Sequence, residues 1–313
     1  MNQLRFDGRV AVVTGAGSNP GLGRAYALLL AERGAKVVVN DLGAGPDGRG
    51  AIGSGPERVV EEIRAAGGEA IVSTDSVADR DSAARIVQTA IDAWGRLDIV
   101  INNAGIAPFA LFDEISDSDV ARVADVHLMG HIWMCRAAWP QMVSQGYGRL
   151  INVSSSVAFK GLSYQSIYSA AKMGVVGLTR ALASEGHAHG IRVNAIMPNA
   201  DTLAWQTMLS ADFSAHARQR GVVPEVVAPV AAWLAHQTCS LSGKILHTES
   251  GAVKEVFFST TKGTPPDSAL TLEGVAEKIG AITDRTEAVH VGDPDGTESA
   301  LFNPKPYREH LRR

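Results

Sequence analysis

The sequence is poor in cysteine. It has two, Cys135 and Cys239, far apart along the chain. That excludes a disulfide framework and leads us to expect reduced thiols and a cytoplasmic location. It also lacks any uncharged apolar run approaching the roughly 18 residues of a membrane span, so no membrane anchor is expected. No basic start leads into an apolar stretch at the N-terminus, so a secretory signal is not expected either. The C-terminal Glu309-His-Leu-Arg-Arg313 is not a Ser-Lys-Leu address. Positive charge is not in excess: the net charge is −4, which argues against a dedicated nucleic-acid partner. His187 and His189 stand close together but have no further cluster around them, so no metal is expected.

What the chain does have is apolar material for a large core, at 45% of its 313 residues. Short, nearly all-apolar runs at Val10–Thr14, Lys36–Asn40, Ala70–Ser73, Ile99–Ile101, Arg149–Val153, Arg192–Ile196 and Lys244–His247 alternate with amphipathic stretches. These longer stretches are Gly23–Arg33, Glu57–Ala66, Asp79–Trp94, Ser118–Ser144, Tyr164–Glu185 and Pro224–His236. Such alternation predicts an α/β fold: a doubly wound, seven-stranded parallel sheet in the order 3-2-1-4-5-6-7, with helices on both faces. Ligands then bind at the carboxyl ends of the strands, where the order reverses. Residues 1–253 form this domain. Residues 254–313 read as an extension, packed on the domain or on a neighbouring subunit, because they hold too little apolar material for a core of their own.

The first apolar strand runs into a glycine-rich turn, Thr14-Gly15-Ala-Gly17-Ser-Asn-Pro-Gly21-Leu-Gly23, and the turn runs into a helix. Glycines let the backbone approach a pyrophosphate, and the helix aims free N–H groups and its positive dipole end at it. Asp41 closes the next strand, where a carboxylate usually grips an adenosine ribose. A plain tight turn with a strand-capping Asp is the competing account. The order strand, turn, helix, strand, carboxylate weighs against it.

A second constellation carries chemistry. Tyr168 and Lys172, four residues apart, share a helix face, and Ser155 lies just past the end of a strand. A phenol is a poor base at its ordinary pKa of about 10. A neighbouring ammonium and a cationic nicotinamide favour the phenolate. Tyr168 then takes the alcohol proton, Ser155 holds the alcohol or carbonyl oxygen, and Lys172 also anchors the nicotinamide ribose. A lone Tyr-x-x-x-Lys is ordinarily a surface pair. Ser155 and the upstream cofactor turn make the combined set specific.

With these motifs in hand, residues 6–253 resemble a short-chain dehydrogenase/reductase. The matching pieces are Thr14-Gly15…Gly21-x-Gly23, Asp75, Asn102-Asn103-Ala104-Gly105, Ser155, Tyr168, Lys172 and Pro198. The resemblance implies NAD binding through Gly15, Ser18, Gly21, Leu22, Gly23, Asp41, Asp75, Ser76, Asn103, Ala104, Gly105, Tyr168, Lys172, Pro198 and Thr202. Asp75 is then placed on the adenine amine and Thr202 on the nicotinamide carboxamide. It also implies a homodimer or homotetramer. Within the family, Gly23-Arg-Ala-Tyr-Ala, Val38-Val-Asn-Asp-Leu-Gly, Arg136-Ala-Ala-Trp-Pro and Pro198-Asn-Ala resemble the branch that oxidises (3R)-hydroxyacyl-CoA, a branch grouped with 17β-hydroxysteroid dehydrogenases.

The chain departs from the family pattern in three places. Asn19-Pro20 lengthens the glycine turn, so the pyrophosphate contact of Gly21 and Gly23 is less secure than that of Gly15. His127 stands where the family carries a catalytic Asn, either relaying protons through water to Lys172 or simply packed in its helix. The tail after residue 253 is unmatched. Two further segments break the rhythm: Leu42–Pro56, with six glycines and two prolines, and Asn199–Gly221, a candidate substrate lid. In the lid, Leu203, Trp205, Met208, Leu209 and Phe213 fit an apolar helix face, and Lys160, Arg218 and Arg220 are candidate cations for a CoA carrier. We therefore expect an NAD-dependent oxidoreductase of a bulky apolar secondary alcohol, most readily a 3-hydroxyacyl-CoA. A hydroxysteroid is the alternative substrate, and an NAD-binding sensor without turnover is the alternative class.

Overall fold

The computed structural model describes residues 3–50, 53–207 and 211–294. Seven strands run parallel: β1 (Val10–Thr14), β2 (Lys36–Asn40), β3 (Glu69–Ser73), β4 (Ile99–Asn102), β5 (Gly148–Val153), β6 (Ile191–Asn199) and β7 (Ile245–Glu249). An eighth, β8 (Ala252–Glu255), turns back antiparallel on β7, giving the order β3-β2-β1-β4-β5-β6-β7-β8. The order expected from the sequence is present, with one strand added. That strand is exposed along its whole length and so carries no buried pattern to read. It straddles residue 253.

Alternation along β1 feeds two cores. Ala11 and Val13 face the layer of α1 (Leu22–Glu32), α2 (Gly55–Ala65) and α10 (Pro224–Ala235). Val10 and Val12 face the layer of α3 (Arg80–Trp94), α5 (Gly130–Gln145) and α7 (Ser166–Gly186). Every other residue of a strand points to the opposite face, so a strand covered on both sides must be apolar throughout. Helix α3 starts at Asp79, whose side chain accepts from the Ser82 N–H at 2.7 Å, and stops at Gly95 with φ of 72°. Both are the residue types that helix ends favour.

The long helix expected over Ser118–Ser144 is interrupted. It runs as α4 (Asp117–Ala124), a π-helical turn over Asp125–Met129, and then α5. A π turn inserts one residue into the helical repeat and re-aims the side chains it carries. Here it carries His127. The segment Asn199–Gly221 contains two short helices, α8 (Leu203–Gln206) and α9 (Ala211–Gln219). Of the expected apolar stripe, Met208, Leu209 and the side chain of Phe213 lie outside the described residues. A short α6 (Val157–Lys160) precedes α7. Beyond β8, β9 (Ser259–Thr260) pairs antiparallel with β10 (Val289–His290), and α11 (Leu272–Ile282) lies between them.

Candidate active site

The glycine turn leaves β1 for α1 at the carboxyl edge of the sheet. Gly15 has φ of 65°, and a Cβ there would sit 2.7 Å from the Ala104 Cα. A side chain at Gly23 would collide with the Gly15 carbonyl, and one at Gly21 with the Ser18 carbonyl. The turn is thus folded so tightly on itself and against the end of β4 that three positions admit only hydrogen. Asn103 fixes this junction, because its Nδ2 donates to the Thr14 and Gly15 carbonyls at 2.9 and 3.0 Å. The Thr14 hydroxyl accepts from the Asn103 and Ala104 amides at 3.0 and 3.1 Å. The added Asn19-Pro20 reaches the opposite wall, where the Pro20 carbonyl accepts from Leu203 N at 3.0 Å.

All the candidate site residues except Gly23 border one cavity of about 470 Å³. Gly23 packs behind the turn, against Gly15 and the Asn103 side chain. Asp41 is oriented by two backbone amides, Gly17 N and Gly43 N, each 2.8 Å from one carboxylate oxygen. Asp75 presents its edge to the cavity, but its carboxylate already accepts from Arg85 Nε at 2.7 Å. Thr202 borders the cavity and caps α8, accepting from Trp205 N at 3.5 Å. Ser76 and Pro198 border it as well. Of the cations considered for a CoA carrier, Lys160 borders the cavity. Arg218 is tied to Asp201 at 2.8 Å, and Arg220 lies away from the cavity.

At the far end of the cavity the reactive groups converge. Lys172 is buried on α7, and its Nζ donates to the Val153 carbonyl at 2.6 Å. Ser154 braces the same turn, its Oγ donating to the Lys172 carbonyl at 2.8 Å. Burial pushes the Lys172 ammonium down to about 7. Its Nζ stands 5.7 Å from the centre of the Tyr168 ring. Burial raises the Tyr168 phenol above its ordinary value, and the Ser155 hydroxyl pulls the other way. Desolvation is thus the larger influence on the phenol. A low-dielectric site disfavours both charged forms.

His127 packs edge-on to Tyr168, with ring centres 4.8 Å apart. Its Nε2 lies 3.0 Å from the Ile106 amide nitrogen and 2.7 Å from the Ile106 carbonyl oxygen, accepting from one or donating to the other according to tautomer. Its Nδ1 is buried without a protein partner. Burial and the Lys172 charge hold this imidazole at about 3, so it is neutral at working pH. Gly105 makes room for it, since a Cβ there would lie 2.7 Å from the ring. Sequence reasoning missed two neighbours. Phe109 packs edge-on to Tyr168 at 5.7 Å, and His131 is buried one turn past His127 with its Nε2 unpartnered. Neither belongs to a motif. Only the helical spacing from His127 signals His131.

A glycine turn open to a cleft that ends on Ser155, Tyr168 and Lys172 is the layout of one enzyme family. A family model described as short chain dehydrogenase matches residues 9–209. The chain belongs to the short-chain dehydrogenases. It is therefore an oxidoreductase acting on CH–OH groups, in a family that uses NAD or NADP. A short-chain type dehydrogenase/reductase of Mycobacterium tuberculosis is 40% identical, the match covering 91% of this chain and 97% of that protein. The peroxisomal multifunctional enzyme type 2 of Mus musculus is 44% identical over 83% of this chain and 34% of its own length. The structure of the full-length enzyme of that name from Drosophila melanogaster superposes with a TM-score of 0.76 at 36% identity, covering 95% of this chain and 49% of that one. The chain thus spans 34% of the mouse enzyme and 49% of the fly enzyme.

The residues present fit a dinucleotide. Only hydrogen atoms at Gly15 and Gly21 leave room for the turn, and Asp41 is held at the rim with both oxygens oriented. Among the described residues no group of three metal-type ligands exists, and no helix is long and apolar enough to cross a membrane.

Proposed function

We propose that this dehydrogenase uses NAD to interconvert a bulky apolar secondary alcohol and its ketone, with a 3-hydroxyacyl-CoA as the substrate class. The observation that carries the reading is the convergence of Ser155, Tyr168, Lys172 and His127 at the end of a cavity whose other end is the glycine turn and Asp41. Bound NAD supplies the hydride acceptor. The Ser155 hydroxyl donates to the substrate oxygen and fixes its position. The Tyr168 phenolate takes the alcohol proton, or the phenol returns it to the ketone. Lys172 supplies positive charge behind the phenol, and neutral His127 orders, through its free Nδ1, a water that carries protons between Lys172 and solvent.

Asp41 supports NAD over NADP. Its carboxylate would repel a 2′-phosphate, and among the described residues the cavity's cations are Lys160 on α6 and Lys172 on α7, neither beside Asp41. The apolar wall supports a greasy substrate: Phe109, Leu162 and Trp205 border the cavity, the last two standing half exposed. Lys160 is the cation available for a CoA phosphate.

The extension after residue 253 belongs to the same reading. Arg180 donates to the Gly292 carbonyl at 2.8 Å and Lys244 pairs with Asp293 at 2.6 Å, tying the described part of the tail to the domain. Leu272 and Ile279 of α11 face solvent. An apolar helix face of that kind supports burial against a second subunit, hence a homo-oligomer. Two buried free thiols, Cys135 and Cys239, support a reducing compartment such as the cytoplasm.

The test is steady-state oxidation of (3R)-hydroxyacyl-CoA esters of rising chain length, beside the free hydroxy acids and a 17β-hydroxysteroid, each with NAD and NADP. We expect kcat/KM to favour the CoA esters and NAD. Equal rates for ester and free acid would remove the CoA reading, and preference for the steroid would exchange it for the alternative. NAD binding without turnover of any alcohol would leave a sensor.

A further inference from the structure

After β2, residues 43–50 of the glycine-rich segment arch away from the cofactor edge, and residues 53–55 stand back against it. One foot stands on Asp41, which holds the turn through Gly17 N, and the other on the turn itself. At one foot, Gly43 N donates to Asp41 Oδ1 at 2.8 Å. At the other, Gly55 lies against Gly17 so closely that a Cβ would fall 2.7 Å from the Gly17 carbonyl oxygen. The arch itself, residues 43–50, is internally braced. Gly45 N donates to the Arg49 carbonyl at 3.0 Å, Gly48 N to the Gly45 carbonyl at 2.7 Å, and Arg49 N to Asp47 Oδ1 at 3.0 Å. Ala44, Gly45, Pro46 and Gly48 border the cavity.

The tip of the arch is fastened to the other side of the cleft. Arg49 Nη2 pairs with Asp119 of α4 at 2.9 Å. Arg122, also on α4, pairs with the same carboxylate oxygen at 2.7 Å and donates through Nη2 to the Asp47 carbonyl. The Ala107 amide donates to the Pro46 carbonyl at 3.0 Å. Gly48, with φ of 75°, sits where a Cβ would be 2.6 Å from the Ile106 Cγ2. Ile106 is the residue that His127 grips. The arch therefore joins the ribose carboxylate to the loop behind the catalytic tyrosine.

We propose that residues 43–50 are a strap over the bound dinucleotide, and that Arg49, Asp119 and Arg122 are the latch that holds it shut. This rests on the cofactor reading above. A dinucleotide lying from the glycine turn to Tyr168 passes beneath the strap and leaves after the tip has parted from α4. The latch residues touch no reacting atom; they position the strap, and the step they govern is cofactor release. Because the latch is built from partly exposed ion pairs, salt weakens it.

The experiment is stopped-flow displacement of NADH from the full chain, followed by nicotinamide fluorescence. Latch pairs of this kind contribute enough for Arg49→Ala and Asp119→Asn each to raise the dissociation rate by about 1.5-fold to fivefold. The wild-type rate should climb with salt towards theirs, while theirs change less. Gly48→Ala, whose Cβ would crowd both Ile106 and the Arg122 guanidinium, should raise the rate at every salt concentration. Unchanged dissociation in all three variants, with wild type still binding NADH, overturns the strap and leaves the cofactor reading standing. A wild-type chain that binds neither NADH nor NADPH overturns both.

Discussion

The two ends of the sheet bury charge in opposite ways. At the amino end, Asp98 is fully buried, but it accepts from Arg9 at 2.8 Å, from Arg96 at 2.7 and 2.8 Å, and from the Val10 amide at 3.0 Å. Burial alone would raise its carboxyl, yet Arg96, the Val10 N–H and Arg9 together hold it below the ordinary range. The guanidiniums of Arg9 and Arg149 lie 4.0 and 4.3 Å from the Tyr147 ring centre. At the carboxyl end, Lys172 is as deeply buried, and among the described residues no carboxylate faces it. Its hydrogen-bond partner is a carbonyl, and its neighbours Tyr168, His127 and His131 are all held neutral by burial. One end spends its charges on rigidity. The other keeps its proton-exchanging groups desolvated, where a small change in nearby charge moves their pKa values furthest.

The comparison breaks most visibly at Tyr168. Tyr168→Phe keeps the ring packing and removes the proton acceptor, so kcat should fall by about 10²–10⁴-fold with NAD binding nearly unchanged. Retention of a tenth of wild-type turnover would show that Tyr168 is not the base. Asp98→Asn should do the reverse, costing roughly 3 kcal/mol of stability in denaturant melts, because it strips a buried carboxylate from two arginines. The residual folded enzyme should keep its kcat, and an equal loss of kcat would erase the contrast between the two ends.

Lys172 sharpens the contrast through pH. Its folded value of about 7 lies below the unfolded value of about 10.4. Between those values the unfolded chain binds more protons, so wild-type stability from this group rises with pH, and the penalty is complete below about 7. Lys172→Met, although inactive, should therefore be more stable than wild type at pH 7 and below, with the gap closing towards pH 10. A gap independent of pH would mean that the buried amine is not depressed. The smallest effect belongs to His127. His127→Leu should lower kcat by about tenfold, less than removing the base itself, and His127→Asn should restore most of it. Equal activity of the Leu variant across pH would make His127 a packing residue.

How far the sequence was legible follows the same physics. β1 and β2 appear on the residues expected, because a strand covered on both faces must be apolar from end to end and glycine must follow where it turns. Tyr168, Lys172 and Ser155 were readable because helical spacing and strand ends fix where such side chains meet. β8 was not, since an exposed edge strand carries no burial pattern. The π-helical turn under His127 was not legible either, because one added residue leaves a helical periodicity almost unchanged while rotating the side chain it carries.

The sequence by itself determined the parallel sheet, the glycine turn and the reactive set, since each follows from local spacing and burial periodicity. The tertiary structure decided what those groups feel. The neutrality of His127, the depressed Lys172 and the latch joining Arg49 to Asp119 across 70 residues arise from burial and long-range contact. Desolvation depends on everything packed around a group, and no stretch of chain encodes that alone.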